Sequence, residues 1–571
     1  ELIPLSPSVV VDLIGLLQQK SSTDITGLST KLLKHLAIEL SAPLAHIFNL
    51  SIKTGIFPSA LKLSRVTPIF KAGNPTLTDN YRPITLQSSL SKILEKYVAI
   101  QLSNYLQAHN LIYSNQFGFQ EGKTTEQAIF QVTNFISKAL NDGEFCVGLF
   151  LDLKKAFDVV PHDLLLKKLN HYGIRDGPLG WFQSYLSNRS QVTDVNGSLS
   201  EEGDIDIGVF QGSILGPILF LIFINDLPGS TSLFTVLFAD DTQGLARGKN
   251  LAALVDHVNL QIKNLSKWFR ANRMAVNTSK TKFIIFHTKG KGSGIANVDL
   301  KWDDNDPDSQ IVDPDLVSSL ERIHNGHPTS KAYKTLGIFI DENLSYNEHF
   351  HYLHSKITKG TFCINRVKHI LPLKALKTLY YALIHPHLSY CAAILSQASI
   401  TNTKKLHTLQ KKAIRTITHS AYNEHTEPLF TKHNIMQFPQ IMEASCISLM
   451  HSIHHKYSPS ALHNSFPINS QRNSQYDLRN SSEYFIPKPN FSFFNKSPSY
   501  ALPSLWNTYP DIKLTANKNT FKTLLRSHLK NPLSPNIPTP QQLPTNISLL
   551  NPNAIPFTPA SVRSAPLLGL G

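Results

Sequence analysis

A chain of 571 residues is too long for a small disulfide- or metal-stapled scaffold and long enough to bury more than one core. Its 55 lysines and arginines against 40 acidic residues leave a formal charge of +15, as expected for a protein that tracks a phosphate backbone. Cys146, Cys363, Cys391 and Cys446 lack the paired spacing of zinc ligands, and no apolar run is long enough to span a bilayer. Free thiols in a reducing compartment, with no signal peptide or transmembrane segment, are therefore expected.

Taken in chain order, residues 1–60 alternate short helical patterns such as Leu32-Leu33-Leu36-Ala37 and Leu44-Ile47-Phe48. Ala128, Ile129, Val132, Phe135, Ile136, Ala139 and Leu140 share one face of a predicted helix, which leads into a strand from Val147 to Leu151 that ends at Asp152. Gly208 to Pro217 places glycines where backbone must approach a ligand closely, and the apolar run Ile218–Ile224 behind it reads as a core helix. Val236, Leu237 and Phe238 predict a second buried strand, ending in a tight turn at Ala239-Asp240-Asp241. Leu251, Leu254, Val258, Ile262, Leu265 and Trp268 mark another helix. Gly290 to Gly294 and the acidic run Asp303 to Asp308 predict a mobile insertion near 288–328, a solvated loop because the glycine spacing of a calcium loop is missing.

Helical patterns dominate from 345 to 455. Within them Lys404, Lys405, Lys411, Lys412 and Arg415 recur between Leu406, Leu409, Ala413 and Ile414, a basic face that fits a nucleic-acid duplex and an ordinary solvated surface equally well. His451, His454 and His455 share a helical face, but nothing nearby completes a tetrahedral metal set, so a surface or core role is expected. Residues 531–571, rich in Pro, Asn, Ser and Thr, predict a disordered tail.

The chemistry sits at the two strand ends. If the strands are neighbours, Asp152 and Asp240 converge, and the repulsion between the carboxylates demands divalent cations as counter-charge. Two magnesium ions about 3.5–4 Å apart would lower the pKa of an attacking 3′-hydroxyl and stabilise the charge that develops during in-line displacement of pyrophosphate. An isolated Asp-Asp pair is most often only a solvated turn. The glycine loop and buried helix between the two carboxylate sites move the reading toward a nucleotide polymerase.

The motifs around those sites extend the pattern. Thr67-Pro68-Ile69-Phe70-Lys71-Ala72-Gly73, Asn80-Tyr81-Arg82-Pro83-Ile84 and Asn115-Gln116-Phe117-Gly118-Phe119-Gln120 precede Asp152 to Asp158. Gln211-Gly212-Ser213, Phe238 to Asp241, Asn277 to Thr281, Tyr333 to Ile338, and Leu371 through Cys391 follow. In this order they resemble the reverse transcriptase of a Jockey-like non-LTR retrotransposon over roughly residues 10–530. The resemblance implies an α+β right-hand polymerase: a ferredoxin-like palm with a small antiparallel sheet, fingers and a helical thumb, plus a C-terminal extension. It places an RNA-contacting N-terminal extension at 1–60, fingers at 61–130, palm at 131–344, thumb at 345–455 and a C-terminal module at 456–530.

The same resemblance implies residue roles. Asp152 and Asp240 would hold two magnesium ions, or manganese in their place, with the carbonyl of Leu153 as a further ligand and Asp241 sharing or supporting coordination. Phe157 would be a steric gate against a ribose 2′-hydroxyl, so the product is DNA. Arg82 and Lys71 would contact the triphosphate, Gln211 the nascent base pair, and Lys280 would protonate leaving pyrophosphate. Two departures from the family pattern stand out: Phe210 where proline commonly precedes Gln-Gly, and Lys123-Thr124-Thr125 in place of a commoner Arg-Ser-Thr.

The implied partners are an RNA template, a DNA primer or target and deoxynucleoside triphosphates, without a membrane. The family's life cycle implies the nucleus and a cytoplasmic ribonucleoprotein. The chain opens on Glu1 and shows no endonuclease, which is expected upstream or in trans. The readings weighed against this one are a viral RNA-dependent RNA polymerase, a group II intron maturase, and a catalytically inactive, decaying or domesticated copy that only binds RNA.

Overall fold

The computed structural model describes residues 1–292, 295, 298–305, 316–327, 330–471, 482–509 and 515–530. The tail expected at 531–571 lies outside the described residues. The strands in chain order are β1 (Leu63–Phe70), β2 (Tyr81–Gln87), β3 (Phe145–Leu151), β4 (Arg189–Val195), β5 (Ser198–Leu199), β6 (Gly203–Ile205) and β7 (Phe234–Phe238). They continue with β8 (Asp241–Gly248), β9 (Lys282–Phe286), β10 (Lys301–Asp303), β11 (Val317–Ser319), β12 (Glu321–Ile323), β13 (Tyr333–Thr335) and β14 (Ile338–Ile340).

The central sheet runs β12-β9-β3-β8-β7, with β3 antiparallel to both β8 and β9 and β12 parallel to β9. β3 is buried on both faces, which is why it reads as an unbroken apolar run. Its alternate side chains enter two different cores: Val147, Leu149 and Leu151 in one, Cys146 and Phe150 in the other. A lateral sheet orders β2-β1-β4-β5, with β6 also on β4, so two segments far apart in sequence combine beside the central sheet.

Helices α1 (Pro7–Leu16), α2 (Thr30–His35), α3 (Ala37–Thr54) and α4 (Ser89–Ala108) pack into the first core with α6 (His162–His171), α7 (Asp176–Leu186), α8 (Leu215–Ile224) and α9 (Leu251–Ala271). α5 (Thr125–Asn141) packs on the opposite face of the sheet, its N-terminus fixed by a reciprocal pair of bonds between Thr124 and Gln127. α8 is apolar on every side because it is buried on nearly every side. A helical bundle follows: α10 (Asn347–Val367), α11 (Leu373–Leu383), α12 (His385–Ser389), α13 (Ala392–Leu395), α14 (Ile400–Thr418), α15 (Thr426–His433) and α16 (Phe438–His454).

The insertion expected to be mobile near 288–328 is built into the fold in its described part. β12 extends the central sheet, and the antiparallel pair β10–β11 lies on α9 with Leu300 and Trp302 fully buried. Apolar burial overrides the loop composition there. Of the acidic run, Asp303 accepts from Asn305 and Asp304 from the Trp302 indole, while residues 306–308 lie outside the described part.

The four cysteines are free, and Cys146, Cys391 and Cys446 are buried. His451 stacks on Phe521 and bonds the Thr515 carbonyl oxygen, and His454 bonds the Tyr484 hydroxyl, so two of the three histidines serve packing at the end of α16. Among the described residues no helix is long and apolar enough to cross a membrane.

Candidate active site

β7 and β8 form a hairpin whose turn is Ala239-Asp240, with Phe238 paired to Asp241, and Leu151 at the end of β3 pairs with Thr242. The register therefore carries Asp152 to the edge of that turn. Asp152 is itself pinned: its amide nitrogen donates to Thr281 Oγ1 at 3.2 Å and its carbonyl oxygen accepts from Asn277 at 2.7 Å. The next residue, Leu153, pairs with Val276. Lys280, on the same segment as Asn277, brings its Nζ to 3.8 Å from Asp152 Oδ2.

The three aspartates form a region of excess negative charge. Burial raises the Asp240 carboxyl above its ordinary range and Asp152 adds to the effect, while Arg82 and Lys71 act against it. Desolvation by the surrounding protein, then Asp240, then Asp152, push the Asp241 carboxyl up to about 7, against the pull of Lys71. Such a set is incomplete without added positive charge. Among the described residues no three His, Cys, Asp or Glu side chains close a metal cage on their own. An open donor set of this kind suits magnesium, which takes one or two carboxylates and leaves its remaining positions to substrate phosphate and water.

The turn is clasped from the side by a segment whose role was not legible in the sequence. Leu237 donates to the Asn115 carbonyl oxygen at 3.0 Å and Phe117 donates to the Leu237 carbonyl oxygen at 2.8 Å. The Gln116 side-chain oxygen accepts from Gly118 at 2.9 Å and from Ala239 at 3.1 Å. Ala239 has a φ of +58°, so its amide is presented in a conformation that this clasp has to hold. A Cβ on Gly118 would run into the Ala239 backbone nitrogen. Lys123 donates to the Ser114 and Gln116 carbonyl oxygens at 3.0 and 2.7 Å, which gives its departure from the commoner arginine a structural use.

On the other side lies the loop before α8. Gln211 Nε2 donates to Asp158 Oδ1 at 3.0 Å, and the Gln211 carbonyl oxygen accepts from Thr85 of β2 at 2.9 Å. Phe157 is half-buried, its ring stacked on Phe220 of α8 with centroids 4.4 Å apart. Beneath the loop, Glu95 is fully buried and accepts from Ile214 at 3.0 Å and from Ser91 at 3.0 Å. The equally buried Arg189 lies beside it, with the Phe210 ring over its guanidinium at 4.5 Å. Phe210 thus caps a buried cation where a proline would not.

Lys71 and Arg82 stand exposed at the loop end of the β1–β2 hairpin, where Arg82 pairs with Ile69. Tyr333 of β13 was not singled out as a site residue, yet its ring packs against Phe150 at 4.5 Å. Burial first, then Asp241 and Asp152, raise its hydroxyl pKa, placing it within reach of the same negative field.

A family model described as reverse transcriptase (RNA-dependent DNA polymerase) matches residues 69–340. The chain is 27% identical over 438 residues to a protein named probable RNA-directed DNA polymerase from transposon BS of Drosophila melanogaster, covering 73% of this chain and 45% of that protein. It is 28% identical over 425 residues to the RNA-directed DNA polymerase from mobile element jockey of the same species, covering 72% and 43%. Residues 69–340 thus match a reverse transcriptase domain, and the chain is similar there to the polymerases of jockey and other mobile elements. A protein named for the transposon X-element of the same fly is 27% identical over 384 residues, covering 65% and 39%. The chain thus spans less than half the length of these relatives. The reverse transcriptase match holds all nine residues singled out from the sequence: Lys71, Arg82, Asp152, Leu153, Phe157, Gln211, Asp240, Asp241 and Lys280. Reverse transcriptases as a family use divalent metals.

Proposed function

We propose that this chain is the RNA-directed DNA polymerase of a non-LTR element, extending a DNA 3′ end on an RNA template, with a nick in target DNA as the source of primer. The observation that carries this reading is the meeting of Asp152 with Asp240 and Asp241, through the β3–β8 register, opposite Arg82 and Lys71.

In this reading the central sheet is the palm, the lateral sheet the fingers and the α10–α16 bundle the thumb, with 1–60 and 456–530 as flanking modules. The fingers then draw β4 to β6 from a stretch assigned to the palm by linear order. Asp152 and Asp240 would hold two magnesium ions, with Asp241 and the Leu153 carbonyl in support. Bound there, the ions would activate a 3′-hydroxyl and stabilise the charge of the displaced pyrophosphate. Arg82 and Lys71 bind and orient the triphosphate through charge-assisted hydrogen bonds. Phe157 excludes a ribose 2′-hydroxyl by bulk. Gln211, already oriented by Asp158, keeps its side-chain oxygen for the nascent base pair. Lys280 Nζ is the acid for the leaving pyrophosphate.

Primer extension by the purified chain on an RNA template with magnesium and deoxynucleotides tests this. DNA product is expected, and Asp240→Ala should reduce it by roughly a thousandfold or more, since the counter-charge it anchors contributes several kcal/mol to the barrier. Tight RNA binding with no extension would contradict the reading and favour a disabled copy that persists as an RNA binder.

A further inference from the structure

Phe157 does not stand alone. One face of its ring lies on Phe220, with centroids 4.4 Å apart and planes 20° from parallel, and Phe119 makes a T-shaped contact with it, centroids 6.0 Å apart and planes at 87°. Both are preferred aromatic geometries, and together they restrict the two rotations by which a phenyl ring could yield. Phe220 arrives from the buried helix α8. Phe119 arrives from the clasp around the carboxylate turn, immediately after Gly118, whose amide is held by Gln116.

The backbone at Phe119 is unusual in a way that asks for a reason. Its φ is +52°, in the left-handed region that bulky residues avoid, and the ring is only half-buried. Asparagine or glycine would adopt that backbone with less strain, and a mere turn would not need a large apolar ring there. Strain held beside reacting groups commonly marks a functional constraint. The constraint visible here is contact with Phe157.

We infer that Phe119 is a positioning residue for sugar selection: its ring locks Phe157 against Phe220, so that the gate cannot swing aside for a ribonucleotide. The inference rests on the reading of Phe157 as the sugar gate. It adds that discrimination is a property of three rings, one of them carried by the same segment that fixes Ala239 in the carboxylate turn. Sugar selection and carboxylate placement are then mechanically joined through Gln116-Phe117-Gly118-Phe119.

The test is the ratio of kcat/KM for a deoxynucleotide to that for its ribonucleotide, measured with the full chain for wild type, Phe157→Val, Phe119→Gly, Phe119→Asn and Phe119→Tyr. Glycine and asparagine suit the positive φ, so they remove the ring without adding backbone strain, and the ratio is internally controlled for the amount of folded enzyme. Phe157→Val should lower the ratio most. Phe119→Gly and Phe119→Asn should lower it about two- to tenfold, the factor one aromatic pair is worth, through faster ribonucleotide insertion. Phe119→Tyr should keep the wild-type ratio. A fall in Phe157→Val with no change in either ring-less Phe119 variant would overturn the positioning role and leave the gate standing, as would an equal fall in Phe119→Tyr. An unchanged ratio in Phe157→Val would overturn the gate reading and this inference with it.

Discussion

The carboxylate turn and the cationic hairpin that acts on it are built in opposite ways. Asp152 and Asp240 are placed by main chain: β3 pairs with β8 and β9, Asn277 and Thr281 bind the backbone of Asp152, and Gln116 binds the backbone of Ala239. Lys71 and Arg82 instead project from the exposed end of a two-stranded hairpin, and their influence on Asp240 is electrostatic. A site that must hold like charges together needs a rigid frame, because each carboxylate is pushed away by its neighbours. A site that receives a triphosphate can be open and adaptable, since the ligand itself brings the opposite charge. Damage to the frame should therefore reduce kcat, and damage to the hairpin should raise KM.

The largest effect expected from breaking that contrast is Gly118→Ala. The added Cβ meets the Ala239 backbone nitrogen, so the turn has to move, and a displacement of about 1 Å can cost roughly 100-fold in rate. Single-turnover extension should show that loss with little change in nucleotide KM. Arg82→Ala should do the reverse, raising KM for deoxynucleotides about tenfold or more with a smaller change in kcat, as the loss of hydrogen bonds to a charged ligand predicts.

Smaller effects should come from support further out. Glu95→Ala leaves the buried Ile214 amide without its acceptor and should lower stability by about 1–3 kcal/mol in urea unfolding, with a loosened Gln211 loop as its kinetic sign. A milder lever acts on the α10–α16 bundle. Burial holds His349 and His385 in the neutral form, lowering both to about 4. The unfolded chain takes up protons at these histidines below its ordinary pKa of about 6.5 while the fold does not, so stability is full above that pH and declines as pH falls toward 4. Glu126, pushed up to about 7 by burial, has the opposite sign between its ordinary range and neutrality and offsets part of the change. Limited proteolysis at pH 7 and pH 5 should show the bundle opening before the central sheet.

What could be read from the sequence follows the same contrast. The strands ending at Asp152 and Asp240 announce themselves because each is an apolar run closed by a carboxylate, α5 and α9 because their periodicity is long, and α8 because it is an unbroken apolar run. The clasp by Gln116 and the seat of Ile214 on Glu95 join residues more than a hundred positions apart through polar atoms, which leave no periodic trace. Phe210 and Lys123 stood out only as departures from a pattern, and their use appears once Arg189 and the Gln116 carbonyl are seen beside them. The described part of 288–328 packs against expectation: its strands are three residues long, too short to show alternation, while the residues that anchor it, Leu300 and Trp302, sit among glycines and aspartates.

The most direct test of the account is a crystal of the chain with an RNA template, a chain-terminated DNA primer, the next deoxynucleotide and manganese, with the metal located by anomalous scattering. Two peaks about 3.5–4 Å apart between Asp152 and Asp240, with the triphosphate on Arg82 and Lys71, are predicted. Nucleic acid bound with no metal between those carboxylates, or metal bound elsewhere, would contradict it.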